Sequence, residues 1–119
     1  MIKIDSIKEN HLFSKVYAKG KTFAGKNLVV YALPNYKQNG KTLIGITASK
    51  KLGGAVQRSR VRRIIREAYR RAADQNFCRP FLIVVVARRP AFEKGRKMQE
   101  LIPEFTRAFH RLGLFGEEK

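Results

Sequence analysis

The sequence predicts a small α+β protein whose elements follow the order helix, two or three strands, helix, strand, helix. Apolar residues recur at helical spacing in three segments, and β-branched runs of strand length lie between them. No repeat, low-complexity stretch or linker interrupts the chain. With 119 residues, 44% of them hydrophobic, we expect one domain spanning residues 1–119 and built around its own core.

The first predicted element is a short helix over residues 10–18. Leu12 and Val16 share one side of this helix with two aromatic residues, which is the spacing of an amphipathic helix. Gly20 follows directly and is expected to end the helix.

Strands are predicted in the next segment. The run at 28–33 is β-branched and aromatic, and the run at 42–48 has the same character. The segment between them, residues 34–41, is rich in Asn, Gly and Pro, so we expect the two strands to form a hairpin. Residues 21–24 are compatible with a third strand.

The second half of the chain predicts the longest helix, a buried strand and a final helix. A basic, glycine-bearing loop at 50–54 leads into a helix over residues 55 to about 75. The unbroken apolar run at 81–87 indicates a strand that is covered on both faces. Apolar residues from Met98 to Leu112 follow helical spacing, and Pro103 predicts either the start of that helix or a kink.

Positive charge is the strongest functional indication in the sequence. Lys and Arg total 26 against 9 acidic residues, which gives a net charge of +17. Such a charge repels itself, and a polyanionic partner relieves the repulsion and gains entropy from released counterions. All arginines lie between Arg58 and Arg111, so the specific phosphate contacts are expected in the second half. A merely solvated basic surface is the alternative.

The predicted long helix is apolar on one face and cationic over most of the rest. Glu67 is the only acid from Gly53 to Ala73, although a solvated helix face usually mixes charges of both signs. Binding to a membrane or an acidic partner is a weaker alternative, because the neighbouring strands imply that the apolar face is already buried. The apolar arc spans about 140° and contains Val61, Ile64, Ile65, Ala68, Tyr69 and Ala72, and the arginine stripe beside it contains Arg58, Arg62, Arg66 and Arg70.

Residues 45–67, GITASKKLGGAVQRSRVRRIIRE, resemble the motif of the bacterial ribonuclease P protein family. The resemblance extends to FSKVYAKG at 13–20, VVY at 29–31 and VVVARRPA at 84–91. This chain departs from the family pattern at two positions, where asparagine is usual. Gly54 stands at one and Ser59 at the other, so contacts that need the amide at these positions are not carried over.

The resemblance implies a central mixed sheet in the order α-β-β-β-α-β-α, with a left-handed βαβ crossover. It also implies that the protein is the non-catalytic subunit of a cytoplasmic ribonucleoprotein that removes the 5′ leader from precursor tRNA. In the family, the catalytic RNA performs the hydrolysis and holds the magnesium ions. The implied partners are therefore the catalytic RNA and precursor tRNA, with no catalytic or metal-binding residue, membrane or protein partner assigned to this chain.

The resemblance assigns two RNA-binding surfaces. Stacking of bases on aromatic side chains over a basic groove suits a single-stranded leader. Phe13 has a second interpretation as a core residue, because large aromatic side chains are usually well buried. The implied catalytic-RNA contacts are Lys50, Lys51, Arg58, Ser59, Arg60, Arg62, Arg63 and Arg66, and the implied leader contacts are Phe13, Tyr17 and Tyr31.

Other chemical motifs are weak in this sequence. The segment 40–42 ends like a phosphate-binding loop, but that motif would need glycine at Asn35. His11 and His110 have no third ligand in view, Cys78 is interpreted as a small apolar residue, and the carboxylates are scattered. A ribosomal or DNA-binding protein and a free-standing nuclease remain the alternative hypotheses.

Overall fold

The computed structural model describes residues 5–35, 41–73, 77, 80–88 and 98–115. A short 3-10 helix at Lys50–Leu52 precedes the long helix. In chain order the helices and strands are β1 (Asp5–Ser6), α1 (Asn10–Lys19), β2 (Lys21–Ala24), β3 (Leu28–Pro34), β4 (Leu43–Thr47), α2 (Ala55–Ala72), β5 (Phe81–Ala87) and α3 (Met98–Arg111). The three predicted helices and the strand at 21–24 are therefore confirmed, and β1 is an addition that is too short to leave a sequence pattern.

The five strands form one mixed sheet in the order β1-β4-β5-β3-β2. The predicted hairpin of β3 and β4 is wrong, because β5 lies between them, antiparallel to β3 and parallel to β4. The reason is that β5 is apolar at every position and needs cover on both faces, which only an inner strand obtains. Two parallel neighbours, β4 and β5, are thus joined through α2, and the left-handed sense of this crossover stays a prediction.

Alternate residues of β5 enter two separate cores. Leu82 and Val84 pack with Leu12 and Val16 of α1 on one face of the sheet. On the other face, Ile83 and Val85 belong to the larger core that α2 and α3 complete. The sheet is consequently covered by one helix on one side and by two helices on the other.

The predicted apolar face of α2 is confirmed. Val61, Ile65 and Ala68 are buried there, and Ile64 packs at the margin of the same core. Tyr69 is also buried, and its ring meets rings of α3 edge to face. Burial raises the pKa of the Tyr69 phenol above its usual range, because the ionised form would lose its hydration.

Helix α3 continues through Pro103 rather than beginning at it. The helix starts at Met98, and Pro103 is exposed on its outer side. Phe105 and Phe109 of the same helix are fully buried against α2 and the sheet. The burial of this face against α2 and the sheet offsets the cost of a proline inside the helix.

A buried carboxylate fastens α3 to the turn between β2 and β3. Glu104 is 1% exposed, and its Oε2 accepts hydrogen bonds from the backbone N–H groups of Asn27 at 2.9 Å and Leu28 at 2.7 Å. Its Oε1 accepts a third bond from Asn27 Nδ2 at 2.9 Å. A Cβ atom on Gly25 would overlap with the Glu104 side chain, so glycine makes room for it. This carboxylate, one of the scattered acids in the sequence, is therefore structural.

We expect Glu104→Gln to lower the free energy of unfolding by about 2–4 kcal/mol. The substitution replaces one acceptor oxygen with an amide nitrogen that would face N–H donors in a buried site. Urea unfolding followed by circular dichroism measures the change. Glu9→Gln is the matched control, because its side chain is 55% exposed and should change stability by less than about 0.5 kcal/mol. Equal losses in the two variants would contradict the fastening role of Glu104.

Candidate nucleic-acid interface

The first candidate surface is the N-terminal half of α2, which carries five arginines without acidic partners among the described residues. Arg60, Arg63 and Arg66 are exposed, and Arg58 and Arg62 are partly exposed. Among the described residues, their side-chain hydrogen bonds stay within the helix and its N-cap, such as that from Arg62 to Ser59 Oγ at 3.4 Å. The predicted arginine set is thus brought together on one solvent-facing helix surface.

The C-terminal half of α2 differs because Glu67 neutralises its arginines. Glu67 binds Arg70 Nη1 at 2.6 Å and Arg71 Nε at 3.2 Å. The arginine stripe predicted from the sequence included Arg70, but the ion pair with Glu67 holds the Arg70 guanidinium. The unpaired cations of the helix therefore end at Arg66, and Glu67 is the residue that sets this limit.

The loop before α2 adds two more cations to the same end of the helix. Lys50 and Lys51 are exposed on the 3-10 helix, whose start is capped by Ser49 Oγ, which accepts from the backbone N–H of Lys51 at 3.3 Å. Gly53 then adopts a φ of +122°, a conformation that favours glycine, and the chain enters α2 at Gly54. The two predicted lysines therefore lie next to the N-terminus of the arginine helix.

An open cavity of about 370 Å³ lies on this helix surface and joins predicted contact residues to Val56, which the sequence did not single out. Its walls include Arg60, Arg63 and the hydroxyl-bearing Ser59. Val56 also lines it and is 78% exposed, which is unusual for a branched apolar side chain. Because Val56 completes no core, its side chain is free to contact an apolar part of a partner, such as a base or a ribose.

The second candidate surface lies on the opposite face of the sheet, where three aromatic residues meet. Tyr17 of α1 is 42% exposed, and its ring centroid lies 4.9 Å from that of Tyr31 on β3 in an edge-to-face arrangement. The Phe13 ring is partly buried and packs against Gly45 of β4, where a Cβ atom would overlap with it. The interpretation of Phe13 as core is thus partly right, since its ring both packs inward and borders the cleft.

The strands extend this aromatic surface into a shallow groove. Gly45, Val84 and Tyr31 are register partners and form a row across three strands beneath α1. A second row, Thr47, Val86 and Val29, lies two residues further along and is only partly buried. Lys15 and Lys19 are exposed on α1. The cleft therefore combines aromatic rings, a half-buried apolar floor and nearby cations, as a single nucleic-acid strand requires.

The described parts of the chain contain neither a metal site nor a membrane-spanning helix. Within those ranges no three His, Cys, Asp or Glu side chains converge as a metal site would need. His11 lies 3.2 Å from Glu9, and His110 packs near Phe115. Cys78 lies outside the described residues. No described helix has the length and apolar character needed to cross a bilayer.

The fold and these two surfaces define a class: small, basic α+β proteins that carry an arginine helix on one face of a mixed sheet and an aromatic cleft on the other. The family model described as Ribonuclease P matches residues 1–113. The chain therefore belongs to the ribonuclease P protein family, whose members are components of a tRNA-processing ribonucleoprotein.

Individual relatives agree with this assignment. The ribonuclease P protein component of Clostridioides difficile is 45% identical over 82 residues, which are 69% of this chain and 70% of that protein. The component from Clostridium acetobutylicum is 35% identical over 113 residues, covering 95% of this chain and 92% of that protein. The solved RNase P protein of Staphylococcus aureus superposes with a TM-score of 0.77 at 32% identity, covering 96% of this chain and 100% of that one. The α+β fold is thereby shown.

The helix start at Gly54 offers a test of one departure from the family pattern. Gly54 is the N-cap of α2, no side chain caps that end, and a Cβ atom there would meet nothing within 4 Å. We expect Gly54→Asn to raise the free energy of unfolding by about 0.5 kcal/mol, since asparagine can accept from a free N–H and is less flexible when unfolded.

The neighbouring glycine supplies the control for this prediction. Gly53→Asn should instead lower stability, because an L-residue is strained at a φ of +122°. Thermal and urea unfolding of both variants measure the difference. A loss of stability in both would contradict the assignment of Gly54 as an open N-cap.

Proposed function

We propose that this chain is the protein subunit of a bacterial ribonuclease P and that it binds two RNAs on opposite faces of its sheet. The observation that carries the proposal is the division of α2, whose arginines before Glu67 have no described acidic partner and whose next two do. Family membership supports the catalytic RNA as the partner of this surface. A cytoplasmic location is part of the same proposal.

The arginine helix binds the catalytic RNA in this proposal. Guanidinium groups form bidentate contacts with phosphates, and the lysines beside them add point charges. The implied contacts at Lys50, Lys51, Arg58, Arg60, Arg62, Arg63 and Arg66 are supported by their exposure or partial exposure on one end of the molecule. Ser59 is included as the residue that accepts a bond from Arg62 and so positions its guanidinium.

The aromatic cleft binds the single-stranded leader of precursor tRNA. Unpaired bases stack on the ring faces of Tyr17 and Tyr31, and Phe13 borders these two rings. Lys15 and Lys19 are placed to meet leader phosphates. The protein then holds the substrate on one face and the catalytic RNA on the other.

Hydrolysis is assigned to the RNA subunit, which also holds the magnesium ions. Metal-assisted phosphodiester cleavage by protein groups needs clustered carboxylates. Glu104 is buried under three hydrogen bonds, and Glu67 is occupied by two arginines. Glu104 and Glu67 therefore have structural partners, which supports a protein that positions RNA and leaves the chemistry to it.

Reconstitution tests this function directly. A precursor tRNA with a 5′ extension is incubated with the protein alone, with a bacterial ribonuclease P RNA alone, and with both at low magnesium concentration. We expect strong cleavage to mature 5′ ends only when both are present. Cleavage by the protein alone would identify it as a free-standing nuclease, and tight RNA binding without stimulation would point to another ribonucleoprotein.

Arg63→Ala should weaken binding of the catalytic RNA and flatten its salt dependence. Loss of one phosphate contact reduces the slope of log affinity against log salt by about one unit. Arg71→Ala on the same helix is the matched control, because Arg71 is already paired with Glu67. Filter binding at several salt concentrations measures both slopes, and an unchanged slope for Arg63→Ala would remove Arg63 from the interface.

Tyr17→Ala should weaken the binding of precursor tRNA more than the binding of mature tRNA. One lost stacking contact costs about 1–3 kcal/mol, so affinity for the leader-bearing substrate should fall at least about fivefold. Tyr17→Phe keeps the ring and should bind nearly as wild type does. Equal losses on precursor and mature tRNA would show that Tyr17 does not contact the leader.

A further inference from the structure

A second cleft, which the proposed function does not use, lies between the edge strand β2 and helix α3. Its volume is about 780 Å³, and residues of both elements line it. From β2 and the turn after it come Thr22, Phe23, Ala24 and Gly25, and from α3 and its end come Thr106, Arg107, His110, Arg111 and Leu112.

The charges that this cleft presents to solvent are cationic. Arg107 and Arg111 are exposed one helical turn apart, and neither has an acidic partner among the described residues. Glu104 lies behind Gly25, but it is 1% exposed and its oxygens are bonded to Asn27 and Leu28. An anionic ligand would therefore meet two guanidinium groups and no exposed carboxylate from the lining residues.

A single strand, β2, separates this cleft from the aromatic surface on the other face of the sheet. Thr22 lines the cleft and is the direct register partner of Tyr31, which contacts Tyr17 on the other side of the sheet. Because neighbouring strands lie about 5 Å apart, the step from Tyr31 to the sheet edge is short. β2 is the last strand of the sheet, and no further strand from the described residues covers that edge.

We infer that the cleft between β2 and α3 binds the 5′-distal nucleotides of a single-stranded leader whose nearer nucleotides lie on Tyr17 and Tyr31. The strand passes over Thr22 at the β2 edge, and Arg107 and Arg111 bind its phosphates. This inference rests on the proposed function and adds a second leader subsite to it. An added peptide strand suits this edge less well, since β2 has four residues and an exposed Lys21.

The test uses the reconstituted holoenzyme and precursor tRNAs with leaders of about 4 and about 12 nucleotides. With the wild-type chain we expect the long leader to bind about tenfold more tightly than the short one. The variant Arg107→Ala/Arg111→Ala should lose this advantage while its affinity for the short leader stays the same. For the long leader, its slope of log affinity against log salt should fall by about 1.4, at about 0.7 per single-strand phosphate contact.

Lys8→Ala/Arg71→Ala is the matched control, because it removes two exposed cations outside both leader subsites. With this control, the long leader should still bind about tenfold more tightly than the short one. A photoreactive nucleotide near the 5′ end of the long leader should crosslink to α3 or β2 in the wild-type holoenzyme.

Three outcomes would overturn the inference. If the Arg107→Ala/Arg111→Ala variant lost affinity equally for both precursors, Arg107 and Arg111 would belong to another RNA contact. If it lost affinity for neither, the cleft would have no role in leader binding. Normal RNA-dependent cleavage in these two cases would leave the proposed function intact. Failure of the wild-type holoenzyme to cleave either precursor would refute the proposed function, and the second leader subsite with it.

Discussion

The structure depends on the need to cover β5 on both faces. Every residue from Phe81 to Ala87 is apolar, so the strand is stable only with a helix layer on each side of the sheet. One layer is α1, and the other is α2 with α3. The two surfaces that the proposed function uses are a consequence of this arrangement. The outer side of α2 carries the arginines, and the edge of α1 forms the aromatic cleft on the opposite face.

The unpaired arginines of α2 destabilise the helix that carries them. Its first turn holds no acid, its N-cap has no side-chain bond, and Arg58, Arg62 and Arg66 repeat at intervals of four. Each feature opposes helix formation by a few tenths of a kcal/mol to about 1 kcal/mol. The buried face around Ile65 and Tyr69 offsets these costs, because burial of large apolar side chains contributes more. The helix can therefore keep its cations unpaired.

The buried faces of helices and strands were predictable from the sequence, whereas the pairing of strands distant in the chain was not. The apolar arc of α2 and the two-sided burial of β5 follow from local patterns, and both are confirmed. The order of strands depends on which segment fills the middle of the sheet, and the Asn- and Gly-rich composition of residues 34–41 wrongly indicated a hairpin. The interactions of Glu104 with residues 76 and 77 positions away leave no sequence pattern at all.

The candidate site shows the same division. The clustering of the arginines on one surface followed from spacing along one helix. The meeting of Tyr17 with Tyr31, and of Phe13 with Gly45, depends on packing between elements, and only the resemblance pointed to it in the sequence. The neutralisation of Arg70 by Glu67 and the exposure of Val56 depend on side-chain geometry and were missed.

The central position of β5 also determines the stage of synthesis at which the nascent chain can complete its sheet. Before residue 87 is synthesised, the native strand pairs that can form are β2 with β3 and β1 with β4. Such two-stranded pieces are marginally stable in water. The row from Gly45 through Val84 to Tyr31 closes only when the late strand inserts between them. A ribosome-bound chain that stops short of β5 would therefore expose unpaired strands and lack the aromatic cleft, so the proposed leader site forms only when the sheet folds.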